Sequence, residues 1–354
     1  MKIKKNKCFP IRTQVQDEIR LKMCEEFGVK PLYTNISKNF NFRTFFIGLD
    51  YYETVFLAYF MSKTLKKLRI PHSIISFAPD FNGYTIFQDN ILYHSDSIPD
   101  PVDFDLSGYV PYKKCNLKNI TNFTITKSNV NKVFKRKEKF YLPREMYISY
   151  EENKEYIKKN LDSFITTSVV CKPDTYGKIF FIEKDYLNQN FFDYFNFNKY
   201  IIQEKIDSYP LIINNIHYDW NIRSMMVYDY IKKDYIITIV CRYDIDGIPV
   251  NISLSACYSL EEVCKIIGLS EKYNELSMKI EKISIDIFKR IYNFVGMSDE
   301  VQNMFCFDFI LDTKELCLIE VDDGRTGALY ELYSTSGKSY MLPIFSTIIN
   351  GGLK

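Results

Sequence analysis

The sequence predicts an α+β fold with mostly antiparallel sheets, and three features lead there. Apolar runs of strand length recur along the chain, punctuated by Pro, Gly, Asn and Asp. Stretches with helical spacing are fewer and lie between those runs. The last two runs, MFCFDFIL (304–311) and LCLIEV (316–321), are separated by a short polar turn, which reads as a hairpin.

Taken in order, RTFFIGL (43–49) is a strand, DYYETVFLAYFMSKTLKKL (50–68) has apolar residues at helical spacing, and HSIISFA (72–78) is a second strand after Pro71. This strand–helix–strand unit is followed by short strands and Pro/Asp turns over 79–105. The polar stretch KKCNLKNITNFTITKSN (113–129) then places a domain boundary near residue 125. Beyond it, NVNKVFKRKEK (129–139) is a basic helix with a solvated face, followed by Pro143 and an extended segment. NKEYIKKNLDSF (153–164) is a helix, and ITTSVVCKPDTYGKIFFIE (165–183) is strand, turn, strand around Pro173 and Gly177. KYIIQEKI (199–206) is an apolar strand that ends in polar hinge residues. DWNIRSMMVYDYI (219–231) and YIITIVCRYDI (235–245) are strands, and long helices occupy 259–294.

With 354 residues, 46% hydrophobic and 16% aromatic, the chain can bury a substantial core in two or three compact units. The net charge of +2, with acids and bases interspersed, gives no global field for nucleic acid or a membrane surface, so neither is expected as a partner. The 9 cysteines are scattered, form no CxxC pair and sit mostly in apolar runs, as reduced cytosolic thiols do. No secretory signal core and no long uninterrupted apolar span is visible, so the expectation is a cytoplasmic protein. His72, His94 and His217 stand in no nucleophile motif and read as surface or satisfied polar positions, His217 being the one near an arginine of interest.

CLIEVDDGRT (317–326) departs from this pattern: an apolar strand finishes in three carboxylates and an arginine. Burying an unpaired charge is costly. The charges must therefore lie in a solvated turn around Gly324, in a salt-bridge cluster that includes Arg325, or around a bound metal carrying phosphate. Residues two apart on a strand share a face, so Glu320 and Asp322 project together. A three-residue loop at 313–315 would set Asp308 opposite Glu320. Like charges directly opposed on a sheet repel, and a cluster of hard oxygen ligands suits Mg²⁺ alongside substrate phosphates. Cations interrupt the apolar rhythm of earlier strands in the same manner: Lys172 ends TTSVVCK, Arg223 lies in DWNIR and Arg242 in IVCR. Such cations spread the charge of a transferring phosphoryl group.

The succession Asn131-Lys132, VVCKPDTYGKIFFIE, YIIQEKI, DWNIR, CRYDIDGIPVN and FDFILDTKELCLIEVDDGR resembles the ATP-grasp superfamily of carboxylate–amine ligases over roughly residues 126–330. The resemblance implies an ATP-grasp fold, two α+β subdomains gripping the nucleotide, preceded by an N-terminal α/β pre-ATP-grasp domain. It implies three units: 1–125, the pre-ATP-grasp-like domain; 126–200, the small lid subdomain; and 201–354, the C-terminal subdomain with the metal site. ATP and Mg²⁺ are the implied cofactors. Lys132 and Lys172 would approach the α- and β-phosphates; Gln203, Glu204 and Ile206 would hold the adenine; Asp207 would reach the ribose. Arg223, Arg242 and Asn251 would act in catalysis, the arginines on the phosphates and an acyl-phosphate intermediate. Asp308, Glu320 and Asp322 would be the metal ligands. Where the superfamily usually has Asn at the last ligand position, this sequence has Asp322; Gly177 stands alone in a short loop after Lys172, and SLSAC replaces the Gly-Gly that often follows Asn251.

The implied reaction is ATP-dependent activation of a carboxylate, then attack by an amine to give an amide or by a hydroxyl to give an ester. YIIQEKIDSYPLI followed by DWNIRSMMVYDY is similar to ligases acting on peptides or proteins, so the expected partners are a nucleotide and a peptide or amino-acid substrate; a homodimer is compatible with this. Two rivals are kept: a nucleotide-binding regulatory protein of the same fold without ligase activity, and a kinase-like phosphotransferase. Against the latter stands the lack of a GxxxxGK[ST] loop or an HRD-type motif.

Overall fold

The computed structural model describes residues 14–35, 43–49, 54–78, 83–95, 104–105, 133–134, 142–149, 159, 162, 168–173, 180–183, 199–229, 233–245, 256–295, 304–313 and 315–323. The architecture is α+β, with three sheets and four helices of more than one turn among the described residues.

The first sheet is built from β1 (Lys30–Asn35), β2 (Arg43–Leu49), β3 (His72–Ala78), β4 (Gly83–Gln88), β5 (Ile91–Ser95) and β6 (Phe104–Asp105), in the order β1-β5-β4-β3-β2-β6. Helix α1 (Gln14–Glu26) precedes it, and α2 (Thr54–Lys67) connects β2 to the parallel β3. β1–β5 and β2–β6 are parallel as well, so this sheet is mixed. β4 and β5 form a two-residue hairpin at Asp89-Asn90, both with positive φ, the backbone that matches strand twist. Phe27, at the end of α1, stacks on Tyr59 of α2 at 4.7 Å between ring centroids. The sequence reading passed over α1 and β1, because the few apolar residues of QVQDEIRLKMCEE are spread thinly among charges.

The second sheet contains β7 (Glu145–Ser149), β8 (Ser168–Pro173), β9 (Phe180–Glu183) and β10 (Lys199–Glu204), all antiparallel, in the order β7-β10-β8-β9. The domain boundary expected at residue 200 falls inside β10, which belongs whole to this sheet.

The third sheet is antiparallel throughout: β14-β13-β12-β15-β16, with β11 (Leu211–Ile213) beside β12. Its strands are β12 (Ile216–Asp229), β13 (Asp234–Ile245), β14 (Ala256–Ser259), β15 (Met304–Leu311) and β16 (Leu316–Asp323). Asn214 and Asn215, both with positive φ, turn β11 into β12. Helices α3 (Leu260–Ile266) and α4 (Tyr273–Val295) cover one face. Ser259 and Glu262 form a capping box that starts α3. Gly268 (φ +73) ends it, with the Leu269 N–H donating to the Cys264 carbonyl.

Leu276, Ile280, Ile283, Ile287 and Ile291 recur every three or four residues along α4 and make one stripe. That stripe packs with Phe305, Phe307, Phe309, Leu318, Ile222 and Met226 from the sheet. Each such side chain, fully buried, contributes roughly 1.5–3 kcal/mol over exposure. Because strands alternate, burying Phe305, Phe307 and Phe309 against the helices sends Asp308 to the opposite face. No helix among the described residues is long and apolar enough to cross a membrane. Cys24, Cys171, Cys241, Cys264, Cys306 and Cys317 are buried and in no disulfide, and burial pushes the Cys171 thiol up to about 12.

Candidate functional site

The face of the third sheet opposite α3 and α4 carries a row of polar side chains. Across β13, β12, β15 and β16 the register sets Arg242 opposite Asn221, Arg223 opposite Asp308, and Asp308 opposite Glu320. Asp308 takes the Nε–H of Arg223 on Oδ1 at 2.8 Å and Nη2–H on Oδ2 at 2.7 Å. Arg242 donates its Nη2–H to Asp308 Oδ2 at 2.8 Å and its Nε–H to Asn221 Oδ1 at 2.9 Å. Arg223, Arg242 and Asp308 are 1%, 2% and 3% exposed. Burial alone would raise the Asp308 carboxyl pKa; the two guanidinium groups overcome it by charge and hydrogen bonding and hold it at about 2. Two cations thus share the Asp308 carboxylate, with the Glu320 carboxylate opposite it on the next strand.

The Asp308–Glu320 pairing arises differently from the loop length expected. Leu311 pairs with Leu316 around a four-residue loop, and Phe309 with Leu318, which by itself would put Asp308 opposite Ile319. A bulge leaves Ile319 unpaired and restores Asp308 to Glu320. Lys172 Nζ, from the second sheet, donates to the Ile319 carbonyl at 3.0 Å, so the bulge residue ties the two sheets together. Asp322 and Asp323 remain within β16, in register with Cys306 and Phe305, so both are strand and not turn residues.

The facing wall is the second sheet. Lys172, 4% exposed, also donates to Gln203 Oε1 at 3.1 Å. Gln203 Nε2–H donates in turn to Glu145 Oε2 at 3.1 Å. The buried Glu204 carboxylate turns back to accept the Arg144 N–H at 3.1 Å. Lys205 lies 3.4 Å from the Asp219 carboxylate and over the Phe181 ring, 4.9 Å from its centroid. Past β10 the chain is pinned: the Tyr209 N–H donates to the Leu311 carbonyl at 2.6 Å, and Trp220 Nε1–H donates to the Tyr209 carbonyl at 2.7 Å.

Between the walls is a cleft that opens to solvent; with the solvent at its mouth included, its empty space is about 640 Å³. Lys172, Gln203, Glu204, Ile206, Asn221 and Glu320 are among its lining residues. An apolar body with a few convergent polar groups is the usual lining of small-molecule sites.

Of the residues singled out by sequence, Lys172, Gln203, Glu204, Ile206 and Glu320 meet at the cleft, with Asp308, Arg223 and Arg242 joined to it through Asn221 and the β15–β16 ladder. Asp207 is not among the lining residues; its side chain is 89% exposed and 3.7 Å from Lys205. Lys132, Asn251 and the side chain of Asp322 lie outside the described residues. Among the described residues no three His, Cys, Asp or Glu side chains come close enough to hold a metal ion. The donors on the row, Glu320 with Asp308 opposite, are oxygen only, and Mg²⁺ is ordinarily held by one or two carboxylates together with substrate phosphates, so the residue types fit it. His72 is a satisfied core residue, bonded to Ser62 Oγ and the Ile70 carbonyl at 2.7 Å each, and His217 is exposed.

Sequence reasoning missed Asn221, Glu145, Lys205 and Asp219. Asn221 had a signal: it stands two residues before Arg223 on the same strand face. Glu145 had none, since its partner Gln203 is 58 residues away.

No family model matches the sequence, and no curated protein matches it. Among the solved structures similar to this chain are the following two. The C-terminal domain of K. lactis Pby1, described as an ATP-grasp enzyme interacting with the mRNA decapping enzyme Dcp2, is 13% identical with a TM-score of 0.47, over 87% of this chain and 92% of that one. D-alanine–D-alanine ligase from Bacillus anthracis is 13% identical with a TM-score of 0.49, over 88% of this chain and 97% of that one. Likeness at this level leaves the chemistry of the cleft to be argued from its own residues.

Proposed function

We propose that the protein is an ATP-grasp ligase that activates a carboxylate with Mg-ATP and joins it to an amine or hydroxyl, on a peptide or protein substrate. One observation carries the reading: the row Arg242, Asn221, Arg223, Asp308, Glu320 on one sheet faces Lys172 on another, across a cleft bounded by the segment after β10. A triphosphate needs both kinds of group around it, cations for its oxygens and oxygen donors for its metal.

In this reading Lys172 holds the nucleotide phosphates, and the segment 203–206 lies along the base. Arg223 and Arg242, fixed by Asp308 and Asn221, present guanidinium groups that need not reorganise as negative charge builds on the transferring phosphoryl group. Glu320 and Asp308 would hold Mg²⁺, which when bound would neutralise phosphate charge; by the resemblance Asp322 would join them. By the resemblance, Lys132 would approach the phosphates and Asn251 would act in catalysis beside Arg242. A carboxylate is a poor electrophile because its oxygen leaves badly, and phosphorylation followed by exclusion of water makes amine attack feasible. The closing wall that excludes water is the second sheet, tied across the cleft by Lys172. The peptide assignment rests on the likeness of segments 200–212 and 219–230 to peptide-modifying ligases; the cytoplasm is the compartment proposed, on the buried thiols.

The test is ADP release with Mg-ATP and a panel of acidic and basic peptides and free amino acids. Acceptor-dependent ADP and phosphate, with a peptide that changes mass, supports the reading; absence of ATP binding ends it.

A second reading, nucleotide binding without ligation, is favoured by the engagement of both Asp308 oxygens by arginine, against which a metal must compete. Mg-ATP binding without turnover on any acceptor would select it.

A further inference from the structure

We propose that Glu145 is a positioning residue for Lys172, acting through the side-chain amide of Gln203, and that this amide serves the phosphate lysine and not the base. The proposal rests on the nucleotide reading above.

The geometry is a straight relay across the second sheet. Glu145 and Gln203 are directly opposed on β7 and β10, so their side chains leave the same face. Lys172 lies on the neighbouring β8, diagonal to Gln203. Gln203 Nε2–H reaches Glu145 Oε2 at 3.1 Å, and Gln203 Oε1 receives Lys172 Nζ at 3.1 Å.

A primary amide has one acceptor end and one donor end. The lysine ammonium tolerates only the acceptor end. With a carboxylate behind it, the amide is locked with Oε1 towards Lys172; the flipped amide would point its N–H groups at an ammonium and its oxygen at a carboxylate, two repulsions in place of two attractions. Gln203 is 5% exposed, so water does not readily replace either bond. Glu145 thereby fixes the direction of the ammonium without reaching the cleft, whose lining includes Gln203 and Lys172 and not Glu145.

The consequence separates phosphate from base. Lys172 reaches phosphates, so loosening it should weaken ATP and leave adenosine alone. The experiment measures ATP and adenosine affinities by calorimetry for the full chain with Mg²⁺, in wild type, Glu145→Leu, Glu145→Gln, Gln203→Met and the double variant Glu145→Leu/Gln203→Met. Expected are a roughly tenfold loss of ATP affinity in Glu145→Leu with adenosine within threefold, the size of one charged hydrogen bond. Glu145→Gln, whose Oε1 still accepts from Gln203, should stay near wild type. Gln203→Met should reproduce the selective loss, and adding Glu145→Leu to it should cost nothing further. Equal losses for ATP and adenosine, an unaffected ATP affinity in Glu145→Leu, or additive losses in the double variant would overturn the proposal. Should Glu145→Leu not fold, Gln203→Met decides: loss of adenosine affinity there assigns the amide to the base and overturns it. Failure of the wild type to bind ATP at all would instead overturn the functional reading on which this stands.

Discussion

Arg223 and Asp308 meet as a bidentate pair across β12 and β15, with Nε and Nη2 at 2.8 and 2.7 Å from the two carboxylate oxygens, in a site closed to solvent. The planar guanidinium matches the carboxylate in a way an ammonium cannot. Arg242 then uses Oδ2 a second time. Asp308→Ala would leave two buried guanidinium groups facing each other. The expected cost is about 3–5 kcal/mol, the usual penalty for breaking a buried ion pair from one side, and urea unfolding of the variant checks it. A loss below about 1 kcal/mol would mean that water or another anion replaces the carboxylate.

The acid dependence follows from the same group. The Asp308 carboxyl is held at about 2 in the folded protein against an ordinary value near 3.8. A depressed pKa means stability that is present above the unfolded value and lost as pH falls through the folded one. The contribution is about 2 kcal/mol by linkage, fully present above pH ~4 and gone near pH ~2. Urea unfolding of wild type and Asp308→Asn at a series of pH values should show the stability gap between them narrowing across that window. His72, whose pKa burial lowers, also destabilises the fold on acidification, at higher pH, and cancels in the comparison.

Lys172→Ala is expected to weaken ATP binding by about 10- to 100-fold, the worth of a charged hydrogen bond to phosphate. Glu320→Gln should instead leave the fold and ATP binding largely intact and lower turnover by about 10²–10³-fold, as loss of a charge-stabilising group does. Thermal unfolding, calorimetry and ADP release on the same preparations separate the two. Normal activity in either variant would remove these residues from the site.

Trp220 is the single tryptophan of the chain, 1% exposed, and lines the cleft. Its emission should be blue-shifted in the folded protein and should change on titration with Mg-ATP, giving a binding assay without labels. Trp220→Phe removes the bond to the Tyr209 carbonyl and should cost about 1–3 kcal/mol. A spectrum insensitive to nucleotide at concentrations where calorimetry detects binding would place the ligand elsewhere.

Much of the fold was legible because it is written at short range. Alternation in MFCFDFIL puts three phenylalanines on one face and Asp308 on the other, and helical spacing in 273–295 supplies the stripe that covers those phenylalanines. The hinge after KYIIQE, the strand–helix–strand unit near the N-terminus and the β8–β9 pair follow from similar local rules. Even the facing of Asp308 and Glu320 was readable, although through a three-residue loop and not the four-residue loop with a bulge that produces it.

The sequence by itself determined which faces of which strands are polar, and hence that carboxylates and arginines cannot all be surface ornaments. Tertiary structure alone decided who neutralises whom. Arg223 and Arg242 reach Asp308 from 85 and 66 residues away, and Lys172 reaches the Ile319 carbonyl across 147. Those distances are set by strand order and by one bulge, and strand order depends on how whole sheets bury their apolar faces, a quantity no local pattern of residues contains.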